Sequence, residues 1–208
     1  MKERLLKRAV EFKKDDFEAH RELFKEIGRG QKPHTLFIGC ADSRVVPNLI
    51  TKALPGELFV IRNIANLVPP YRESMDYFST SSSIEYAVLE LEVENILVCG
   101  HSNCGGCNAL YYPKEKLSKM PSVQKWLELA KDVKEEVIDM GFDEDFAARE
   151  WLTEQLNVVK QLQNLMTYPF IEKRVKEKKL HLIGWHYIIE TGEVFNFNEE
   201  KHFFELIR

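Results

Sequence analysis

Nowhere in its 208 residues does the chain hold an apolar run approaching the ~20 residues of a membrane span. It also lacks a basic face. The formal net charge is −4, and lysines and arginines are interleaved with acids along the chain. That balance excludes partners recognised by positive charge, namely nucleic acids and anionic membranes, and reads as solvated helix surface. The segment Met1–Arg8 carries charge with no apolar run after it, so no secretory signal is expected and the chain is expected in the cytoplasm. Cysteines number only four, too few and too unevenly placed for a disulfide framework in a reducing compartment. Internal repeats, low-complexity tracts and long linkers are missing too. The expected organisation is a helical arm over residues 1–30 and one α/β domain over residues 31–208.

What is present begins with a helical pattern. Leu6, Ala9, Val10, Phe17, Leu23, Phe24 and Ile27 recur among many charges, with Asp15 and Asp16 as a break and Gly28 and Gly30 as the end. One such stripe must pack on something, either the chain's own domain or a second subunit. Short apolar runs at Thr35–Gly39, Leu58–Ile61 and Asn95–Cys99 read as buried parallel strands. Ser81, Ser82 and Ser83 precede a helical pattern carrying Ile84, Ala87, Val88 and Leu91, so a serine N-cap is expected there. Residues from about Val123 to Lys178 are charged and helical, interrupted at Pro169. Strand character returns at Leu180–Trp185, and Tyr187–Ile189, Thr191-Gly192 and Val194–Phe197 read as a hairpin. The fold class expected is α/β: a mostly parallel central sheet with an antiparallel edge hairpin, flanking helices and an N-terminal helical arm.

Two short segments carry chemistry, and each follows a predicted strand. One is Cys40-Ala41-Asp42-Ser43-Arg44; the other is His101-Ser102-Asn103-Cys104-Gly105-Gly106. Ligands of open α/β sheets bind at the carboxyl ends of strands, where two such loops can meet. Two sulfurs and an imidazole suit zinc, and three protein ligands with one variable position suit a catalytic rather than a structural site. His101 and Cys104, three apart, can reach one ion from a single turn. Asp42 is either a fourth ligand or the partner of Arg44 in a charge-assisted pair, and the spacing leaves both open.

This ordered set resembles the β-class carbonic anhydrases. The resemblance runs from Gln31 to about Tyr187 and takes in Gln31-Lys32-Pro33, Ile61-Arg62-Asn63, Asn66–Pro70 and Ser83–Val88. It implies one zinc ion (Zn2+) per chain on Cys40, His101 and Cys104, with Asp42 as a conditional fourth ligand. It implies reversible hydration of carbon dioxide to bicarbonate and a proton by zinc-bound hydroxide, with Asp42 and Arg44 as the catalytic dyad. Gln31 and the Gly105 amide would orient the small-molecule substrate, and Phe59, Ile64 and Tyr86 would line an apolar pocket. A homodimer or homotetramer built through the N-terminal helices is implied as well. A subset of the family has a regulatory bicarbonate site that needs a tryptophan where Phe37 stands; Arg62 and Tyr187 match that site, the indole does not.

The remaining candidates read as packing. Cys99 lies inside an apolar strand and Cys107 at a helix start. His181 and His186, five apart on a strand, face opposite sides, and His20, His34 and His202 carry no motif. Trp126, Trp151 and Trp185 read as core. A dithiol oxidoreductase could use Cys104 and Cys107 but leaves Cys40, Asp42, Arg44 and His101 unexplained. A zinc-stabilised scaffold would not need the Asp42–Arg44 pair, and another linear substrate such as carbon disulfide would turn on pocket access.

Overall fold

Why the first thirty residues carry so few core residues is clear from the computed structural model, which describes residues 1–72 and 79–208. Helices α1 (Lys2–Lys14), α2 (Asp16–Ala19) and α3 (Arg21–Ile27) break at Asp15 and His20, and none of them buries a residue. Phe12 and Phe17 meet Phe24 at ring-centroid distances of 6.2 and 5.2 Å, so the three pieces pack on one another. Leu5, Leu6 and Val10 stay exposed.

The body follows in the order β1 (Thr35–Cys40), α4 (Pro47–Thr51), β2 (Leu58–Asn63), α5 (Ser79–Glu85), β3 (Asn95–His101), α6 (Gly105–Ala109), α7 (Lys114–Leu117), α8 (Pro121–Leu127), α9 (Lys131–Asp139), α10 (Phe146–Met166), α11 (Pro169–Lys176), β4 (His181–Tyr187), β5 (Val194–Asn198) and β6 (Phe203–Leu206). Among the described residues, six strands form one sheet in the order β2-β1-β3-β4-β5-β6. The first four are parallel, and β5 and β6 are antiparallel additions. The expected architecture is therefore present, and the edge strand β6 was not among the strands the sequence reading gave. Two further expectations change. Ser81, Ser82 and Ser83 lie inside α5 rather than ahead of it, and the Ser82 and Ser83 hydroxyls donate back to the Ser79 carbonyl. The hairpin pairs Tyr187 with Val194, so its first arm is β4 itself and Ile188–Thr191 belong to the turn.

The central parallel strands β1 and β3 are buried along nearly their whole length, whereas the flanking β2 and β4 are only partly buried. Leu36 and Ile38 of β1 and Ile96 and Val98 of β3 point to one face and pack with Val158, Leu162 and Leu165 of α10. Phe37, Leu97 and Cys99 point to the other, against Ile183, Trp185 and Tyr187. Phe37 is thus fully buried core, beside the Tyr187 that would have shared a regulatory site with a tryptophan.

Candidate metal centre

The chain enters the sheet at β1, steps to one side for β2, then returns across β1 to place β3 on its other flank. The carboxyl ends of β1 and β3 therefore flank the point where strand order reverses, the place where open α/β sheets leave a crevice. Cys40 is the last residue of β1 and His101 the last of β3, and Gly39 is in register with Cys99. Cys104 stands in the turn after β3, as the N-cap residue of α6. Asn103 before it is left-handed, with φ 55°, a conformation asparagine tolerates better than most residues.

These turns bring the three residues together. The Cys40 and Cys104 sulfurs are 3.9 Å apart, and the ligand atoms of Cys40, His101 and Cys104 all lie within 4.8 Å of one another. All three are buried. His101 Nδ1 lies 2.9 Å from the Ser102 carbonyl, which can only accept, so Nδ1 carries the proton and Nε2 presents a lone pair. That Nε2 is buried and has no hydrogen-bond partner among the described residues. A bare imidazole nitrogen beside two sulfurs is a donor set suited to a zinc-like cation.

The electrostatics agree. The hydrogen bond with Cys104, and then burial, push the Cys40 thiol up to about 12. Cys104 is pushed well up by its neighbour Cys107 and by burial, although its contact with Cys40 works the other way. For His101, burial disfavours the charged ring, but Cys40 and the Ser102 carbonyl outweigh it and move the pKa up. Two buried thiols this close cannot both ionise unaided, and a cation between them removes the obstacle. Cys99 differs: burial alone pushes it up to about 12 deep in the strand, as a packing residue. Cys107 sits in α6 facing Asn157, whose Nδ2 approaches its sulfur at 3.8 Å.

Asp42 is turned toward Arg44. Arg44 Nε donates to Oδ1 at 2.9 Å, Nη2 donates to Oδ2 at 2.7 Å, and the Arg44 amide also donates to Oδ1 at 3.0 Å. These bonds hold the Asp42 carboxyl well below the usual carboxylate range. Oδ2 lies 4.0 Å from His101 Nε2, so the carboxylate borders the cluster. Arg44 Nη2 also donates to the Asn103 carbonyl at 3.0 Å, which ties the two motif loops together. Arg62 is committed to backbone, donating to the carbonyls of Cys40 and Asp42.

Behind the site, α10 does something the sequence reading missed. Beside the apolar Val158, Leu162 and Leu165, its buried face carries a polar set: Thr153, Glu154, Asn157, Gln161 and Asn164. Asn157 donates to the Ala65 carbonyl at 2.9 Å, Asn164 donates to the Val68 carbonyl at 2.9 Å, and Gln161 accepts from the Val68 amide at 2.7 Å. The loop so held contains Ala65 and Asn66 at φ 61° and 47°, a strained pair that needs external support. Ala65 in turn fits against Gly106, where an added Cβ would fall 2.9 Å from the Ala65 nitrogen. Glu154, also unflagged, accepts from the Cys104 amide at 2.8 Å and meets His186 Nε2 at 3.0 Å. The only sequence signal for these residues is polar side chains recurring at helix spacing.

Not every expected site residue joins the cluster. Gly105 does, opening α6 with open space beside it and an amide that has no intrahelical partner by position. Ile64 is partly exposed beside a groove of about 600 Å³ bordered by Ala41, Arg62, Asn63 and Trp126, and Trp126 Nε1 donates to the Ile64 carbonyl at 2.9 Å. Phe59 pairs with Leu36, four residues before Cys40 and so roughly 13 Å along the strand. Tyr86 stacks beside Phe59 at 6.0 Å and is exposed. Gln31 joins β1 at the end remote from Cys40. Trp151, expected as core, is half exposed, with its edge against His186.

A family model described as carbonic anhydrase matches residues 35–194. A carbonic anhydrase of Helicobacter pylori is 46% identical over 202 residues, covering 96% of this chain and 91% of that one. One of Synechococcus elongatus is 41% identical over 185 residues, covering 88% and 66%. Among solved structures, the β-carbonic anhydrase CcaA is similar at a TM-score of 0.94 and 38% identity, covering 99% of this chain and 92% of that one. A tetrameric β-carbonic anhydrase of Sordaria macrospora follows at 0.82 and 30%, covering 94% and 96%. With two motif loops meeting at the switch point of a sheet shared along nearly the whole chain, the protein belongs to the β-class carbonic anhydrases, the enzymes that hydrate carbon dioxide reversibly.

Proposed function

We propose that Cys40, His101 and Cys104 hold one zinc ion per chain and that Asp42, fixed by Arg44, serves the reversible hydration of carbon dioxide beside it. The observation that carries this reading is the buried, unpartnered His101 Nε2 facing two sulfurs, with the Asp42 carboxylate 4.0 Å away. Zinc bound there supplies a Lewis acid that makes water a usable nucleophile near neutral pH.

The chain's own groups do the rest. Asp42 stays ionised at neutral pH and accepts a hydrogen bond from the attacking water at Oδ2, the oxygen nearest the cluster. Arg44 prevents the carboxylate from rotating and holds it as an acceptor. Were zinc bound, Cys40, His101 and Cys104 would hold it; Asp42 would remain an acceptor beside it while committed to Arg44, and would be a candidate further ligand if released from Arg44. The Gly105 amide and Gln31 orient the substrate, and Ile64 gives the carbon dioxide side an apolar wall. Phe59 and Tyr86 lie too far along the sheet to reach the cluster of their own chain, so in this reading they and Gln31 come from a second copy. A homodimer, or a tetramer as in the Sordaria macrospora relative, meets that need. Among the described residues no helix is long and apolar enough to cross a membrane, and free thiol ligands suit a reducing cytoplasm.

The deciding experiment measures zinc content and stopped-flow hydration of carbon dioxide on the same preparation. About one zinc per chain with hydration that chelation abolishes supports the reading. One zinc without hydration removes the reaction and leaves a zinc-stabilised scaffold; hydration in metal-free protein removes the zinc.

A further inference from the structure

We propose that Glu154 and His186 act as positioning residues for the Cys104 ligand, a role that rests on the zinc reading above. Glu154 is 2% exposed and His186 is fully buried. Taking a carboxylate so far from water is costly unless both oxygens are engaged. Both are. Oε1 accepts the Cys104 amide proton at 2.8 Å, and Oε2 lies 3.0 Å from His186 Nε2. Because a carboxylate only accepts, His186 Nε2 carries the ring proton and donates it.

The surrounding fold is shaped to bring this pair to Cys104. An added Cβ at Gly100 of β3 would fall 2.7 Å from Val158 Cγ2, and one at Gly184 of β4 would fall 3.0 Å from Val158 Cγ1. The two glycines form a notch in which α10 settles against β3 and β4, and that approach carries Glu154, one turn before Val158, to the turn after β3. The His186 ring is fixed in its own right, edge-on to Trp151 at 4.9 Å.

The turn needs such an anchor. Asn103 is left-handed and Gly105 and Gly106 follow, so the backbone around Cys104 has little stiffness of its own. An apolar side chain at position 154 would fill the space without the cost of burying charge, but it could not hold the Cys104 amide. Hydrogen bonds to metal-ligating residues orient the ligand and tune the metal, and their loss commonly lowers metal affinity by about 10- to 100-fold.

The test compares wild type, Glu154→Ala, Glu154→Gln and His186→Phe. Three readouts are taken: zinc affinity by chelator competition, the thiolate-to-metal absorption of the cobalt(II)-loaded proteins, and thermal melting of the metal-free proteins. The expected result is that Glu154→Ala weakens zinc binding by about 10- to 100-fold and shifts the cobalt band. Glu154→Gln, which keeps an acceptor for the Cys104 amide, restores most of the affinity, and His186→Phe gives a smaller loss with the same spectral shift. A lower melting temperature with zinc affinity and cobalt band unchanged would mean a merely structural role and overturn the proposal, as would a glutamine variant no better than alanine. If Glu154→Ala does not fold, His186→Phe decides: an unmoved cobalt band overturns the proposal. Failure of wild type to bind zinc at all would instead remove the underlying zinc reading.

Discussion

Arg44 closes a two-point fork on Asp42, Nε to Oδ1 at 2.9 Å and Nη2 to Oδ2 at 2.7 Å, and the same Nη2 reaches the Asn103 carbonyl at 3.0 Å. One guanidinium therefore joins the loop after β1 to the loop after β3. A planar fork of this kind has no equivalent in lysine. Asp42 keeps its direction only while the fork holds.

Replacing Asp42 with asparagine removes the carboxylate charge and turns one of its two acceptor oxygens into a donor amide, but leaves Cys40, His101 and Cys104 in place. We expect zinc content to stay near wild type and kcat/KM for hydration to fall by about 10²- to 10⁴-fold, the span typical of a positioned acid–base group. Arg44→Lys should fall between the two proteins. Full hydration activity in Asp42→Asn, measured by stopped flow on zinc-loaded protein, would take Asp42 out of the mechanism.

Metal loading should be coupled to protons. Cys40 is pushed up to about 12 by its hydrogen bond with Cys104 and by burial, and Cys104 is pushed well up, so both are thiols at neutral pH in metal-free protein. Thiolates are the ligand form, so binding must expel those protons, and lowering the pH must weaken binding. Titrating zinc into metal-free protein at pH 7 with an indicator dye should release about two protons per zinc. Release near zero would mean the sulfurs are already ionised or do not bind.

How much of this was legible beforehand follows from the range over which each residue's partner is found. The buried central strands announce themselves locally, because Leu36–Ile38 and Ile96–Cys99 are apolar on both faces. Cys40, Asp42, Arg44, His101 and Cys104 announce themselves by residue type and order. The Glu154–His186 contact does not, since it exists only once α10 has settled on the sheet, and a glutamate on a charged helix looks like surface. The start of α5 was misplaced because serines favour caps by propensity, yet here their hydroxyls bond back within the helix. β6 was missed because Phe203–Leu206 is short and half exposed at the sheet edge. Phe59 and Tyr86 came only from the family resemblance, and the structure sets Phe59 level with Leu36, well along the sheet from Cys40, with Tyr86 beside it.

Gln161 offers a measure of how far the polar stripe of α10 supports the site. Its Oε1 accepts from the Val68 amide at 2.7 Å inside the core. Gln161→Leu leaves that amide buried and unpaired, which costs about 1–3 kcal/mol. Urea unfolding of metal-free protein should show that loss. An unchanged midpoint would mean the loop 65–68 finds another partner.

Neighbouring glycines after Cys104 should behave differently. Gly106→Ala sets a Cβ 2.8 Å from the Ala65 Cβ and 2.9 Å from its nitrogen, so backbone must move. Overpacking of that kind costs about 1–3 kcal/mol. Gly105→Ala meets nothing within 4 Å and should melt at or slightly above the wild-type temperature, alanine being the better helix former. Equal destabilisation by both would show that the pressure comes from the turn's conformation and not from Ala65.

The arm supplies the last expectation. Helix α1 buries no residue, and Leu5 and Leu6 are 64% and 62% exposed, which leaves an apolar stripe with no cover among the described residues. Such surface is stabilised by removing it from water, and in the proposed oligomer a second copy covers it and brings Phe59 and Tyr86 toward a metal site. Deleting residues 1–14 should therefore lower the mass seen by sedimentation while the core around β1, β3 and α10 keeps its cooperative melt. Hydration should fall with the mass, because each site would lose the residues supplied across the contact. A truncated protein that keeps both full mass and full activity would place the subunit contact elsewhere, on the sheet face bearing Ile183, Trp185 and Tyr187.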